Sequence, residues 1–274
     1  MEKNKKPIGI FDSGYGGLTV FRATKDSLPQ YDYIYLDDND RAPYGNRSFD
    51  IVYQYTLECV EWLFNQVCPL VILACNTASA KALRTIQQVD LIRHPNKKVL
   101  GVIRPTAEVI GKYTHTGAIG ILGTNGTVKS LSYKLEIGHF FPDITVVQQA
   151  CPMWVPLIEN GEYTGSEMDA FIQEDLELLF KQNNQIDTIL LACTHYPLIA
   201  DKIKKYLPTG VQLISQGPII ASSLIDYLFR HPEIESRLSQ HGETVFYTTD
   251  DSTFFMERGK EFFGETIAAQ MIHL

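Results

Sequence analysis

Two cysteines, Cys75 and Cys193, each close a short apolar run and open a polar one: Leu73-Ala74-Cys75-Asn76-Thr77-Ala78-Ser79 and Leu191-Ala192-Cys193-Thr194-His195-Tyr196-Pro197. A cysteine inside an apolar strand is ordinarily a small buried hydrophobe, and that reading covers Cys59, Cys68 and Cys151. At a strand end, a helix N-terminus and hydroxyl donors lower a thiol pKa from its reference of about 8.5 and stabilise a thiolate. One thiolate and one thiol suit the inversion of a stereocentre. A base takes a proton from one face while an acid returns one to the other, and the reverse reaction exchanges the roles. The proton α to a carboxylate is very weakly acidic, so such a site must also stabilise the carbanion with fixed donors and exclude water. Asn76, Thr77 and Thr194 are placed to hold a substrate carboxylate, and His195 and Asp12 are proton-accepting neighbours expected to keep the thiols poised.

Other chemistry fits these residues less well. Asp12-Ser13-Gly14-Tyr15-Gly16-Gly17 has the closely spaced glycines of a phosphate-cradling loop, but not the dinucleotide spacing and no following Gly-Lys-Ser/Thr. A tight strand-to-helix turn explains the glycines equally well, and the Asp12 carboxylate would repel phosphate. Cys-Thr-His lacks the usual spacing of zinc ligands, so no metal is expected. Neither cysteine belongs to a Cys-x-x-Cys redox pair. A Cys75–His195 nucleophilic hydrolase is the more serious rival, and it leaves Cys193 unexplained.

The elements that must position these groups alternate. Short runs rich in Val, Ile and Leu at 7–11, 31–36, 70–74, 99–103, 118–122, 144–148, 188–192 and 211–214 are each followed by a turn and then a helical pattern. That is the signature of an α/β fold with parallel sheets. A helix is expected over 49–66 from Val52, Tyr53, Thr56, Leu57, Val60, Leu63 and Phe64, and another over 167–181 from Phe171, Leu176, Leu178 and Leu179. The strands align as two sets of four: Ile8-Gly9-Ile10 with Ile119-Gly120-Ile121, Tyr31-Asp32 with Pro142-Asp143, Leu73-Ala74-Cys75 with Leu191-Ala192-Cys193, and Val99 with Val211. Their preserved order implies an internal duplication into two similar α/β lobes facing across a cleft. The first lobe is expected to comprise 1–98 plus 212–274 and the second 99–211. Ligands of parallel sheets bind beyond the carboxyl ends of the strands, so both sulfurs should enter one cleft from opposite sides.

Composition narrows the class. The chain has 274 residues, 45% hydrophobic and 20% charged, enough apolar material to fold without staples. A net charge of -8 disfavours nucleic acid as a partner, and the basic start, Lys3, Lys5 and Lys6, is too small a cluster to reverse that. The apolar run near 67–75 contains Pro69 and is about half the length a bilayer-spanning helix needs. Neither a membrane span nor a secretion signal is expected. Five cysteines without regular spacing read as reduced thiols, and the expected location is cytoplasmic.

Four motifs, in order along the chain, resemble those of glutamate racemases in the aspartate/glutamate racemase family. They are Asp12-Ser13-Gly14 with Gly16-Gly17-Leu18-Thr19-Val20, Pro43-Tyr44-Gly45, Ala74-Cys75-Asn76-Thr77-Ala78-Ser79-Ala80, and Cys193-Thr194-His195-Tyr196-Pro197-Leu198. The resemblance implies a cofactor-independent enzyme supplying D-glutamate for bacterial peptidoglycan, with a homodimer as the expected assembly. It implies that Cys75 acts on D-glutamate and Cys193 on L-glutamate. Asp12, Ser13, Tyr44, Gly45, Asn76, Thr77, Thr194 and His195 would contact the substrate, with Asp12 and His195 assisting the thiols. Glu159 resembles the family's second assisting carboxylate, and the C-terminal segment is expected to return to the first lobe. The chain departs from the pattern at Leu122-Gly123-Thr124-Asn125-Gly126-Thr127-Val128, at Ser215-Gln216-Gly217 and at Arg104, whose readings are attraction of a substrate carboxylate or a surface ion pair. The chain begins almost directly at its first motif, so activation by a cell-wall precursor nucleotide is less expected. Racemisation of aspartate or another acidic amino acid is the near rival, and a non-catalytic module binding an anionic metabolite is the distant one.

Overall fold

The computed structural model describes residues 5–274, so Lys3 of the basic start lies outside the described residues. Strands form at β1 (Ile8–Asp12), β2 (Tyr33–Asp37), β3 (Leu70–Leu73), β4 (Lys98–Gly101), β5 (Ala118–Gly123), β6 (Thr145–Ala150), β7 (Thr188–Ala192), β8 (Gln212–Ile214), β9 (Thr244–Thr248) and β10 (Ala269–Met271). They make two sheets, ordered β10-β9-β2-β1-β3-β4 and β6-β5-β7-β8, and every pairing is parallel. The order β2-β1-β3-β4 is repeated by β6-β5-β7-β8, as a duplicated architecture requires. The central strands β1, β3, β5 and β7 are buried along their whole length, which is why they read as continuous apolar runs and not as alternating ones.

The expected crossings between lobes need correction. β4 pairs with β3 and β8 pairs with β7, so the chain leaves the first sheet only after Gly101 and the second only after Ile214. A division at 98/99 and 211/212 would assign each of these strands to the wrong sheet. Hydrogen bonding between strands sets the crossing, and the repeat pattern registers it only to within a few residues. β9 and β10 were not anticipated. β9 adds to β2 with Tyr33 opposite Thr244, and β10 extends that edge with Ala269 opposite Phe246. The C-terminal segment thereby returns to the first sheet.

Helices cover the sheets. In Phe49–Asn65 the Ser48 side chain accepts from the Ile51 N–H at 3.3 Å, and Val52, Thr56, Cys59, Val60, Leu63 and Phe64 form the buried stripe. Each of its large apolar side chains contributes about 1.5–3 kcal/mol on burial. In Ser166–Gln182 the buried stripe runs through Met168, Ile172, Leu176 and Leu179, while Leu178 is exposed. Steps of four, four and three residues keep one face inward, and position 178 falls off that face. One apolar core extends through both lobes, from Ile8 and Ile10 to Trp154 and Leu191. Among the described residues no helix is long and apolar enough to cross a membrane.

Candidate active site

The carboxyl ends of β1, β3 and β7 carry the groups singled out above. Asp12 is the last residue of β1, Cys75 caps the helix Asn76–Lys81 just beyond β3, and Cys193 directly follows β7. Both thiols line a single cleft, together with Ser13, Tyr44, Gly45, Asn76, Thr77, Glu159, Thr194 and His195. Asp12 does not line it. The carboxylate is 1% exposed beneath the cleft floor, where it accepts a hydrogen bond from Thr194 Oγ1 at 3.0 Å.

The two sulfurs have different neighbours. Cys75 Sγ lies 3.1 Å from Ser13 Oγ and accepts from the Ala78 N–H at 3.4 Å. Burial pushes its thiol well above the usual value, the Asp12 charge adds to this, and those two hydrogen bonds pull it back. Cys193 Sγ lies 3.8 Å from His195 Nδ1, and His195 Nε2 lies 2.9 Å from Glu159 Oε1. Burial by itself lowers the imidazole's pKa. The hydrogen bonds to Cys193 and Glu159 and the Glu159 charge outweigh it and hold the ring well above the ordinary histidine value. Burial also raises the Asp12 carboxyl to about 6, against the opposing pull of His195, the Ser13 N–H and Thr194. Next to Asp12 in the sheet, Asp37 is fully buried with neither carboxylate oxygen partnered. Burial, reinforced by the Asp12 charge, pushes its pKa well above the carboxylate range, which favours the neutral acid.

The glycines of the first motif have a packing reason. A Cβ on Gly17 would sit 2.3 Å from Asp12 Cβ, one on Gly16 would sit 2.4 Å from His195 Nδ1, and one on Gly14 would sit 2.8 Å from Glu159 Oε1. Real side chains do not approach so closely, so the loop is glycine-rich because three ionisable groups press against it. Of the two readings of that motif this favours the tight strand-to-helix turn, packed against Asp12, Glu159 and His195.

Contacts between lobes close the cleft. Thr77 Oγ1 lies 2.9 Å from Thr124 Oγ1, and Asn125 Nδ2 donates to Asn46 Oδ1 at 2.9 Å. Thr19 Oγ1 donates to the Thr194 carbonyl at 2.9 Å and so fixes the Cys193 loop to the first lobe. Tyr44 presents its ring to the cleft while its hydroxyl donates to Asp38, which Arg41 holds through Nε at 2.9 Å. Thr124, Asn125 and Cys151 also line the cleft and were not foreseen as site residues. The departure at 122–128 was the available signal for the first two. Cys151 gave none, because a buried cysteine and a cleft cysteine look alike in a sequence. Arg104 pairs with Glu108 at 3.1 Å and is two-thirds exposed, so the surface ion pair is its role here.

Comparison with known proteins gives the family. The family model described as Asp/Glu/Hydantoin racemase matches residues 19–224. The chain belongs to the Asp/Glu/hydantoin racemase family, a class of isomerases. Within it, the nearly full-length relatives place it with the glutamate racemases. The glutamate racemase of Enterococcus faecalis is 38% identical over 275 residues, spanning 99% of this chain and 97% of the relative. A glutamate racemase structure from Bacillus anthracis superimposes with a TM-score of 0.89 at 32% identity, covering 99% of this chain and 98% of that one. That of Francisella tularensis, in complex with D-glutamate, gives 0.84 at 30% identity, covering 98% of each chain.

Proposed function

We propose that this chain interconverts L- and D-glutamate without a cofactor, one of Cys75 and Cys193 removing the α-proton while the other supplies a proton to the opposite face. The observation that carries the reading is the placement of two thiols, from equivalent strand ends of a duplicated fold, on one cleft. With L-glutamate bound, the Cys193 thiolate removes the α-proton and the Cys75 thiol delivers its own to the opposite face. The product is D-glutamate, and the ionisation states of the two sulfurs are exchanged. An imidazolium 3.8 Å from Cys193 Sγ stabilises negative charge on that sulfur, and Glu159 keeps the imidazole charged. Asp12 and Ser13 assist Cys75. Asn76, Thr77 and Thr194 hold the carboxylate, on which charge accumulates as the proton leaves, and Tyr44 and Gly45 close the mouth.

The structure of the Francisella tularensis relative in complex with D-glutamate supports the choice of substrate. On this reading the enzyme works in the cytoplasm, as a homodimer, and supplies D-glutamate for peptidoglycan. The test is exchange at the α-carbon in D2O with L- and then D-glutamate and nothing else added. Deuterium should enter both substrate and product, with optical activity decaying to zero from either side. Glutamate that keeps its α-hydrogen, or a strong preference for aspartate, would overturn the proposal.

A further inference from the structure

The run Ser215-Gln216-Gly217 carries no role in the mechanism above, yet Gln216 is 3% exposed and sits where the chain leaves β8 for the helix Gly217–Arg230. Its side chain joins a closed ring of hydrogen bonds. Gln216 Nε2 donates to Tyr133 Oη at 2.6 Å, Tyr133 Oη donates to Asn76 Oδ1 at 2.5 Å, and Asn76 Nδ2 donates to Gln216 Oε1 at 2.8 Å. Tyr133 and Thr106 are fully buried and Asn76 is 2% exposed.

The ring has a direction. Thr106 Oγ1 gives its proton to the Val102 carbonyl at 2.7 Å, so toward Gln216, 2.9 Å away, it can only accept. The Val102 carbonyl, 3.3 Å from Gln216 Nε2, is also an acceptor. Gln216 must therefore turn its amide nitrogen to this side and its oxygen to Asn76, because the reverse would set acceptor against acceptor in a buried site. Tyr133 Oη, already accepting, spends its proton on Asn76 Oδ1, and Asn76 must turn its nitrogen to Gln216. A backbone carbonyl at the first crossing between lobes thus fixes, through the side chains of Thr106, Gln216 and Tyr133, which end of Asn76 is the donor. Asn76 lines the cleft and has one N–H left to offer there.

We propose that Gln216 and Tyr133 are positioning residues that lock the Asn76 amide with its free N–H directed at the substrate carboxylate. The proposal rests on the racemase reading above. Charge on the carboxylate grows as the α-proton leaves, so a donor held in place beforehand acts more on the transition state than on the bound substrate.

The test measures α-deuterium exchange on glutamate for the wild type, Tyr133→Phe, Gln216→Leu and Gln216→Glu, each with a thermal melt. Tyr133→Phe and Gln216→Leu should lower kcat by roughly tenfold or more per folded molecule while KM changes less than about threefold. A carboxyl at 216, when protonated, can accept from Asn76 and donate to Tyr133, so the activity of Gln216→Glu relative to wild type should rise as pH falls. The titratable groups facing it are the Tyr133 phenol, held protonated by burial, and the Cys193 sulfur, which acts on that phenol; Asn76, Thr106 and the Val102 carbonyl are uncharged. A purely packing role would lower the melting temperature, leave kcat per folded molecule unchanged and give a ratio flat in pH. That result, with an active wild type, overturns this proposal alone, whereas a wild type that exchanges no α-proton overturns the proposed function and this inference with it.

Discussion

The neighbourhoods of Cys75 and Cys193 occupy equivalent strand ends but are built from different chemistry. Around Cys75 are a hydroxyl 3.1 Å away, a helix N–H at 3.4 Å and a buried carboxylate. Around Cys193 are an imidazole at 3.8 Å and, behind it, the Glu159 carboxylate. The repeat supplies two equivalent positions, and the loops around them differ, so each sulfur has neighbours its counterpart lacks. A symmetric reaction does not need symmetric assistance. With an equilibrium constant of one between enantiomers, kcat/KM must be equal in the two directions for any variant. Irreversible half-reactions, such as α-proton removal from a glutamate analogue with a leaving group on its β-carbon, read the two sides separately.

The largest expected effect comes from removing either sulfur. Cys75→Ala and Cys193→Ala should each reduce racemisation by about 10^3-fold or more. Each should retain elimination from one enantiomer of the β-substituted analogue: D for Cys193→Ala, L for Cys75→Ala. Polarimetry and product release measure the two activities, and a variant that racemises normally or eliminates from both enantiomers would end the two-thiol reading.

Next in size are the assisting groups. His195→Asn should slow elimination from the L enantiomer by about 10^2-fold and Glu159→Gln by roughly tenfold, with elimination from the D enantiomer less affected. Equal losses on both enantiomers would show that the two neighbourhoods act as one.

A third test separates Asp12 from these by stability. Its carboxyl is raised from 3.8 to about 6 in the folded protein, so between these values the native state holds more protons than the unfolded chain. Stability therefore falls as pH rises through that window, and above it the ionised carboxylate costs about 3 kcal/mol. Asp12→Asn should be more stable than wild type by about that amount at pH 8, with the gap closing below pH 4, while its activity falls. Denaturant unfolding at both pH values measures it, and a variant less stable at pH 8 would contradict the assigned cause. The smallest effect belongs outside the cleft: Arg104→Ala should leave kcat/KM within about twofold and stability within about 1 kcal/mol, since it removes an exposed ion pair with Glu108 and an exposed contact with the Phe140 ring.

Much of this site was legible because α/β folds place function at strand ends, and strand ends are marked by a change from apolar to polar residues. Asp12, Cys75 and Cys193 stand at such changes. Cys151 does not: it lines the cleft from a loop whose composition resembles any other. The weak strands escaped as well, since β10 is three largely exposed residues and β9 is a five-residue strand in which only Phe246 and Thr248 are buried. Gln216 was visible as a departure from the family pattern, but its partners Asn76, Thr106 and Tyr133 lie 83 to 140 residues away in the chain.

From the order of residues alone came the two lobes, the pairing of their cysteines, and most of the polar groups that line the cleft. Local runs and spacings carry those facts, because strand, turn and helix each impose their own short period. The folded molecule decided the rest. It brought Glu159 to His195, pressed three glycines against ionisable side chains, buried Asp12 beneath the cleft floor, and oriented Asn76 from a distant carbonyl. Such distances and local dielectric depend on how the two sheets pack, and no neighbourhood in the chain encodes them.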